Sequence, residues 1–247
     1  MSIPADLAYA LPIVAAAYLV LGLAAFGSAL IAVPLLAWRW PLAEVVPLIL
    51  MLDVLASILL GGLNLKSVAF AEIRRMLPGL VLGTALGLWL LKVLDARWPL
   101  ALLGAYVAMV GLNALRVRGA PPAPAGPGGA WPAGVAVGVV EMLFGTAGPV
   151  VLAWLNRRLA DVRQLRATVP VTIVVAASSV LVGMGLDGRL SSAALWQRLA
   201  WLLPVALACV WLGNHLARHV PAARMRQIIC ALLAASGLML IWRAWRG

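Results

Sequence analysis

Apolar residues run for about 20 positions at a time, and the polar, basic and tryptophan residues gather between the runs. Runs of that length match helices crossing a bilayer core about 30 Å thick at about 1.5 Å per residue. They do not match the apolar–polar alternation of a transmembrane β-strand. Eight runs are predicted: Leu7 to Ala37, Leu42 to Leu63, Leu77 to Leu94, Pro99 to Leu115, Trp131 to Leu155, Ala167 to Leu186, Leu195 to Leu216 and Met225 to Trp242. The expected fold is therefore all-α: a polytopic integral membrane protein of about eight transmembrane helices. Trp38, Trp40, Trp98, Trp131, Trp154, Trp196, Trp242 and Trp245 stand at run ends, as an interfacial aromatic belt requires.

Only one stretch, Arg118 to Pro132, is rich enough in Pro and Gly to exclude a regular helix. It divides the chain into residues 1–117, a linker 118–132 and residues 133–247, each half holding four runs. The halves match in order. Phe26-Gly27-Ser28-Ala29 answers to Phe144-Gly145-Thr146-Ala147, Leu77-Pro78 with Gly87 answers to Leu203-Pro204 with Gly213, and Gly111 answers to Gly237. Four full crossings per half imply a parallel repeat, whereas one re-entrant segment per half implies an inverted one; the residues leave both open.

The first run is about 45 Å long as a helix, more than the core it would cross. Gly27-Ser28, followed by Pro34, is where it is expected to break, and Gly145-Thr146-Ala147-Gly148-Pro149 repeats the signal in the fifth run. Paired breaks are a sequence pointer to a transporter's binding site, because a half-helix N-terminus presents free N–H groups and partial positive charge to an anion. Gly27, Ser28, Gly145, Thr146 and Gly148 are accordingly candidate substrate-binding residues; the alternative is that they only allow close helix packing.

Composition sharpens the class. Of 247 residues, 64% are apolar and 11% charged, against roughly 25% charged in soluble domains, so an extramembrane domain has little room. The net charge of +11 sits mostly between runs, facing lipid headgroups, and nucleic acid is not an expected partner. If every run crosses, nine Lys and Arg (Lys66, Arg74, Arg75, Arg116, Arg118, Arg189, Arg198, Arg243 and Arg246) share the N-terminal side and ten the other, which sets no orientation. The first basic residue is Arg39, so no cleavable signal peptide is expected. Cys209 and Cys230 form no ligand-like cluster with His215 or His219, and neither a metal site nor a cofactor is expected.

Two carboxylates fall inside runs, Asp53 and Glu141. An ionised carboxylate at the bilayer centre costs at least about 2.5–3.5 kcal/mol, so each must be paired or neutralised, and each is a candidate proton-coupling group. Glu141 lies one helical turn before Gly145, beside the expected break. Arg166 and Thr168 open the sixth run; an arginine there could pair an entering oxyanion, or equally a lipid headgroup.

These residues resemble the sulfite exporter TauE/SafE family. Gly145-Thr146-Ala147-Gly148-Pro149 is similar to its second-half FGTGGP-type motif, and Leu165-Arg166-Ala167-Thr168 to its LRAT element. The first half departs: Gly27-Ser28-Ala29-Leu30 stands where a glycine-rich stretch is usual, with Pro34 retained. The resemblance implies a proton-driven secondary transporter, an exporter of small sulfur-containing or organic anions such as sulfite or sulfonates. It implies a multi-pass protein of a bacterial cytoplasmic membrane, with an anionic substrate and membrane lipid as partners and a homo-oligomer allowed. An enzyme is not expected, since no HExxH, GxSxG or GxxxxGK[ST] occurs. The alternative kept open is a noncatalytic membrane accessory or assembly subunit.

Overall fold

A computed structural model describes residues 5–24, 27–61, 65–94, 97–116 and 126–217. The predicted last run, Met225 to Trp242, lies outside them, with Cys230, His219, Trp242, Trp245 and residues 118–125 of the linker. The described residues form nine α-helices and two short 3-10 turns, with no strand: α1 (Ala5–Ala24), α2 (Ser28–Leu36), α3 (Leu42–Gly61), α4 (Phe70–Val93), α5 (Arg97–Arg116), α6 (Ala130–Phe144), α7 (Gly148–Arg158), α8 (Val162–Leu186) and α9 (Ala193–Leu216). Four of them, α3, α4, α8 and α9, are long and apolar enough to cross a membrane. Large side chains such as Leu86, Trp89, Val182, Leu186 and Trp211 stand exposed on the outside, a surface that suits lipid and not water.

The first and fifth runs break where expected, but neither continues across. Tyr9, near the start of α1, donates its hydroxyl to the carbonyl of Leu35 near the end of α2 at 2.6 Å, and Arg39 lies over the Tyr9 ring at 5.0 Å. A straight helix would hold residues 26 apart at about 39 Å. The run therefore folds back as a hairpin with Gly27 at its tip. The fifth run does the same, since a Cβ on Gly129 would lie 2.7 Å from the Trp154 ring. The second limbs, α2 with 9 residues and α7 with 11, are about 14 and 17 Å long, half a membrane core. Among the described residues, the first and fifth runs are thus helical hairpins and not single continuous helices.

Local chemistry explains each turn. Gly27 sits at φ 100° and Gly145 at φ 64°, conformations that an L side chain rarely adopts. Gly145 ends α6 with its N–H on the Glu141 carbonyl at 2.8 Å. Pro149 then falls in the first turn of α7, where its missing N–H removes nothing. At α8 the Asp161 side chain accepts the Arg163 N–H at 2.8 Å and caps the helix.

Glycine sets the packing. On α4, a Cβ at Gly79 or Gly83 would strike the α6 carbonyl of Trp131 or Val135, and one at Gly134 or Gly138 of α6 would strike that of Met76 or Leu80. The two helices run parallel with backbones in contact, the geometry small residues permit inside a bilayer. Gly22 of α1 and Gly213 of α9 make the equivalent approach. Thus α4 clasps the second hairpin's first limb as α9 clasps the first hairpin's, and α3 packs against α8 between them. The third run begins at Phe70, seven residues before its predicted start, because Glu72 is neutralised. Arg158, at the end of α7, gives it a bidentate pair at 2.7 and 3.0 Å, and Arg75 joins the pair.

Candidate functional site

The hairpin tips meet. Gly27 and Ser28 of the first, and Glu141, Gly145, Thr146, Gly148 and Pro149 of the second, line one small cavity together with Asp53 and Ser57 of α3 and Ile173 of α8. About 20 Å³ of it is open to the centre of a water-sized sphere, enough for a water or two. The space is narrow in this conformation.

Each tip is held by a buried carboxylate. Asp53, 5% exposed, accepts the Tyr18 hydroxyl at 2.6 Å and the Ser28 hydroxyl at 2.8 Å, both on Oδ1. Ser28 is the first residue of α2, so α3 grips the first hairpin at its turn. Tyr18 also reaches the Ile49 carbonyl at 3.3 Å. Glu141, 2% exposed, folds over the second tip and accepts the Ala147 N–H on Oε2 at 2.7 Å. Ala147 is the N-cap of α7, so this carboxylate occupies a donor of the half-helix that the sequence offers to an anion. The Thr146 carbonyl is taken by the Tyr106 hydroxyl at 2.9 Å. The Thr146 hydroxyl itself, in a residue 2% exposed, has no partner among the described residues.

Of the sequence-predicted site residues, the structure therefore gathers Gly27, Ser28, Asp53, Glu141, Gly145, Thr146 and Gly148 around one space. Thr168 is elsewhere. Fully buried on α8, it accepts the Ala69 N–H at 3.0 Å and donates to the Gln164 carbonyl at 2.7 Å, tying the segment before α4 to the first turns of α8. Arg166 lies on α8 two residues earlier, and its side chain is outside the described part. Tyr18 and Tyr106 were not singled out from the sequence. A signal existed: a tyrosine inside an apolar run must find a partner for its hydroxyl, and all three tyrosines of the chain do. No cluster of three or more potential metal ligands occurs among the described residues.

The family model for sulfite exporter TauE/SafE matches residues 10–240. The chain belongs to the TauE/SafE family. It is also 48% identical over 200 residues to the "Probable inner membrane transporter protein TsaS" of Comamonas testosteroni, a match covering 81% of this chain and 83% of that protein. No solved structure matches it. As a member of the TauE/SafE family the chain is a membrane transporter and not an enzyme. Gly27-Ser28 and Gly145-Thr146-Ala147-Gly148-Pro149 are the hairpin tips, and the second of them brings Glu141 onto the α7 N-terminus.

Proposed function

We propose that the chain is a proton-coupled secondary transporter of small sulfur-containing or organic anions, sulfite and sulfonates among them, in a bacterial cytoplasmic membrane. The observation that carries this reading is the meeting of two broken hairpins at one small cavity walled by Asp53, Glu141 and Thr146. In bilayer proteins, nonhelical backbone at depth and buried carboxylates go with substrate and ion pathways. The two hairpins belong to two inverted halves. The first enters from the face bearing Ala5 and Trp40, the second from the opposite face bearing Ala130 and Arg158. The clasps of α1 by α9 and of α6 by α4 exchange under the same inversion, and inverted halves supply the alternating access that a carrier needs.

The test is flux of sulfite and a panel of sulfonates into proteoliposomes holding the purified chain, with and without an imposed pH gradient. Flux driven by the gradient supports the reading. Absence of flux for every anion at every gradient refutes it and favours a noncatalytic accessory subunit.

A further inference from the structure

The cavity contains a contradiction for an anion carrier. Its wall has two carboxylates and no Lys, Arg or His among the described residues. Like charges in a low-dielectric space repel by several kcal/mol at close range, so an anion cannot simply be added to Asp53 and Glu141 while both are ionised. A donor suited to an anion, the Ala147 N–H at the start of α7, is engaged by Glu141 at 2.7 Å. Beside it the buried Thr146 hydroxyl has no partner among the described residues, a donor with nothing there to donate to.

Resting on the anion-carrier reading, we propose that Glu141 and the transported anion are alternative occupants of the α7 N-terminus, so that the chain is a proton–anion cotransporter. A proton from water enters Glu141, the neutral carboxyl gives up the Ala147 N–H, and one oxygen of the anion takes that N–H while another accepts the Thr146 hydroxyl. One negative charge leaves the helix terminus as another arrives, so the charge in the cavity does not change. The arrangement with Glu141 on the Ala147 N–H is then the substrate-free state, with the protein's own carboxylate as a stand-in for the ligand.

The other groups around Glu141 do not supply this exchange. Asp53 of α3 is held by Tyr18 of α1 and by Ser28 of α2, and Tyr106 of α5 is committed to the Thr146 carbonyl. Of the described side chains of α8, only Ile173 reaches the cavity. Glu141 lies at the level of Gly87 of α4, which faces Val139 and Met142; Glu72, Arg74 and Arg75 are in the first turns of α4, and Lys92, five residues beyond Gly87, is paired with Asp187 at 2.6 Å. On α7 the cations Arg157 and Arg158 are in the last turn, at the far end from Ala147.

Two consequences follow. Proton and anion move in the same direction, so a proton gradient directed into the cell drives accumulation and not the export that the family's name suggests. For a monovalent anion, one proton per anion makes transport electroneutral. Binding linkage also requires that the anion concentration for half-maximal flux rise up to tenfold per pH unit where Glu141 loses its proton.

The experiment uses proteoliposomes of the full chain with methanesulfonate and ethanesulfonate, which stay ionised at every pH used, so that a moving proton belongs to the protein. The expected result is one proton taken up per sulfonate, with a rate unchanged by a potassium-diffusion potential. Glu141→Gln, with folding checked by its elution and unfolding in detergent, should lose both the pH dependence of half-saturation and gradient-driven accumulation. Wild-type stoichiometry decides the matter even if that variant does not fold. Protons leaving as sulfonate enters, coupling to sodium, or proton-driven accumulation by Glu141→Gln would each overturn the inference while leaving the anion carrier standing. Sulfonate flux absent from the wild type at every pH would remove the carrier reading for these anions and the inference with it.

Discussion

Gly27 gives a clean test of what makes the first run turn back. It stands at φ 100° and ψ 0°, and a Cβ built there meets nothing within 4 Å. Alanine at this position loses no space, so its whole effect is backbone strain, about 1–2 kcal/mol for an L residue in the left-handed region. The stiffer unfolded chain returns about 0.4–1 kcal/mol, leaving a net loss of about 1 kcal/mol, roughly fivefold in the folded-to-unfolded ratio. Asparagine, which tolerates positive φ, should lose less. Gly83→Ala is the contrast, because its Cβ would fall on the Val135 carbonyl and on neighbouring backbone atoms that cannot rotate aside. Separating α4 from α6 should cost about 3 kcal/mol, the upper part of the overpacking range. Unfolding equilibria in mixed detergent should therefore rank Gly83→Ala as the most damaging, then Gly27→Ala, then Gly27→Asn. Neutral behaviour of Gly27→Ala, or asparagine no better than alanine, would refute the claim that backbone conformation is why glycine stands at the tip.

Other outcomes follow from ion pairs and topology. Glu72→Gln leaves Arg158 half-satisfied at the end of α7 and should lose about 2 kcal/mol, below the roughly 3–5 kcal/mol of fully buried pairs because the Arg158 side chain keeps 18% exposure; combining it with Arg158→Met should recover part of the loss in the same unfolding assay. Asp187, just after α8, is held below the ordinary aspartate range by Lys92 and Arg189. A lowered carboxyl pKa stabilises above the unfolded-state value near 3.8 and is lost as pH falls through the folded value, so the tie between the ends of α4 and α8 persists at neutral pH. Asp187→Asn should weaken the acid-side fall of a pH–stability curve, leaving the part due to the pair of Glu72 with Arg158, and change nothing in its shape above pH about 6. With two hairpins folded back, among the described residues Lys66, Arg74, Arg75, Arg116, Arg157, Arg158, Arg163 and Arg166 share one face, against Arg39, Lys92, Arg97, Arg189 and Arg198 on the other. The first set should be cytoplasmic. A membrane-impermeant maleimide applied to intact cells should label Arg189→Cys and spare Lys66→Cys; the reverse pattern would invert the topology.

The places where the helices break were legible, because glycine and proline act locally: Gly27 and Gly145 announce positive φ whatever surrounds them. The direction of the chain after each break was not. Whether α2 runs on or turns back depends on Tyr9 finding the Leu35 carbonyl, and for α7 on Trp154 settling over Gly129, contacts made 25 or 26 residues apart. Hydropathy counts apolar residues and is blind to this, so it counts two hairpins as two crossings. That error also erased the charge asymmetry, since reading the first hairpin as a crossing moves every loop before the second hairpin to the wrong face. The carboxylates were legible as anomalies among apolar neighbours. Their partners were not, because Tyr18 and Tyr106 read as ordinary members of apolar runs. Thr168 was legible as part of a motif, but a motif does not say whether its hydroxyl faces a solute or, as here, the Ala69 N–H.

The hairpin tips also explain why site and scaffold share residues. Limbs of 9 and 11 residues end inside the membrane, where an unpaired N–H or C=O costs several kcal/mol and water is scarce. Side chains must therefore complete the turns: Glu141 for the Ala147 N–H, Tyr106 for the Thr146 carbonyl, Asp53 for the Ser28 hydroxyl. A solute that enters does not form bonds in an empty site; it substitutes one acceptor for another. The difference between two such acceptors is small beside the gross strength of either bond, so a deeply buried and well-satisfied site can still open and close on a biological timescale. The same reasoning separates two classes of variant. One that keeps an acceptor over Ala147, as glutamine does at position 141, alters coupling while the tip stays satisfied. One that leaves that N–H bare removes the turn itself, and its loss of transport would say nothing about protons.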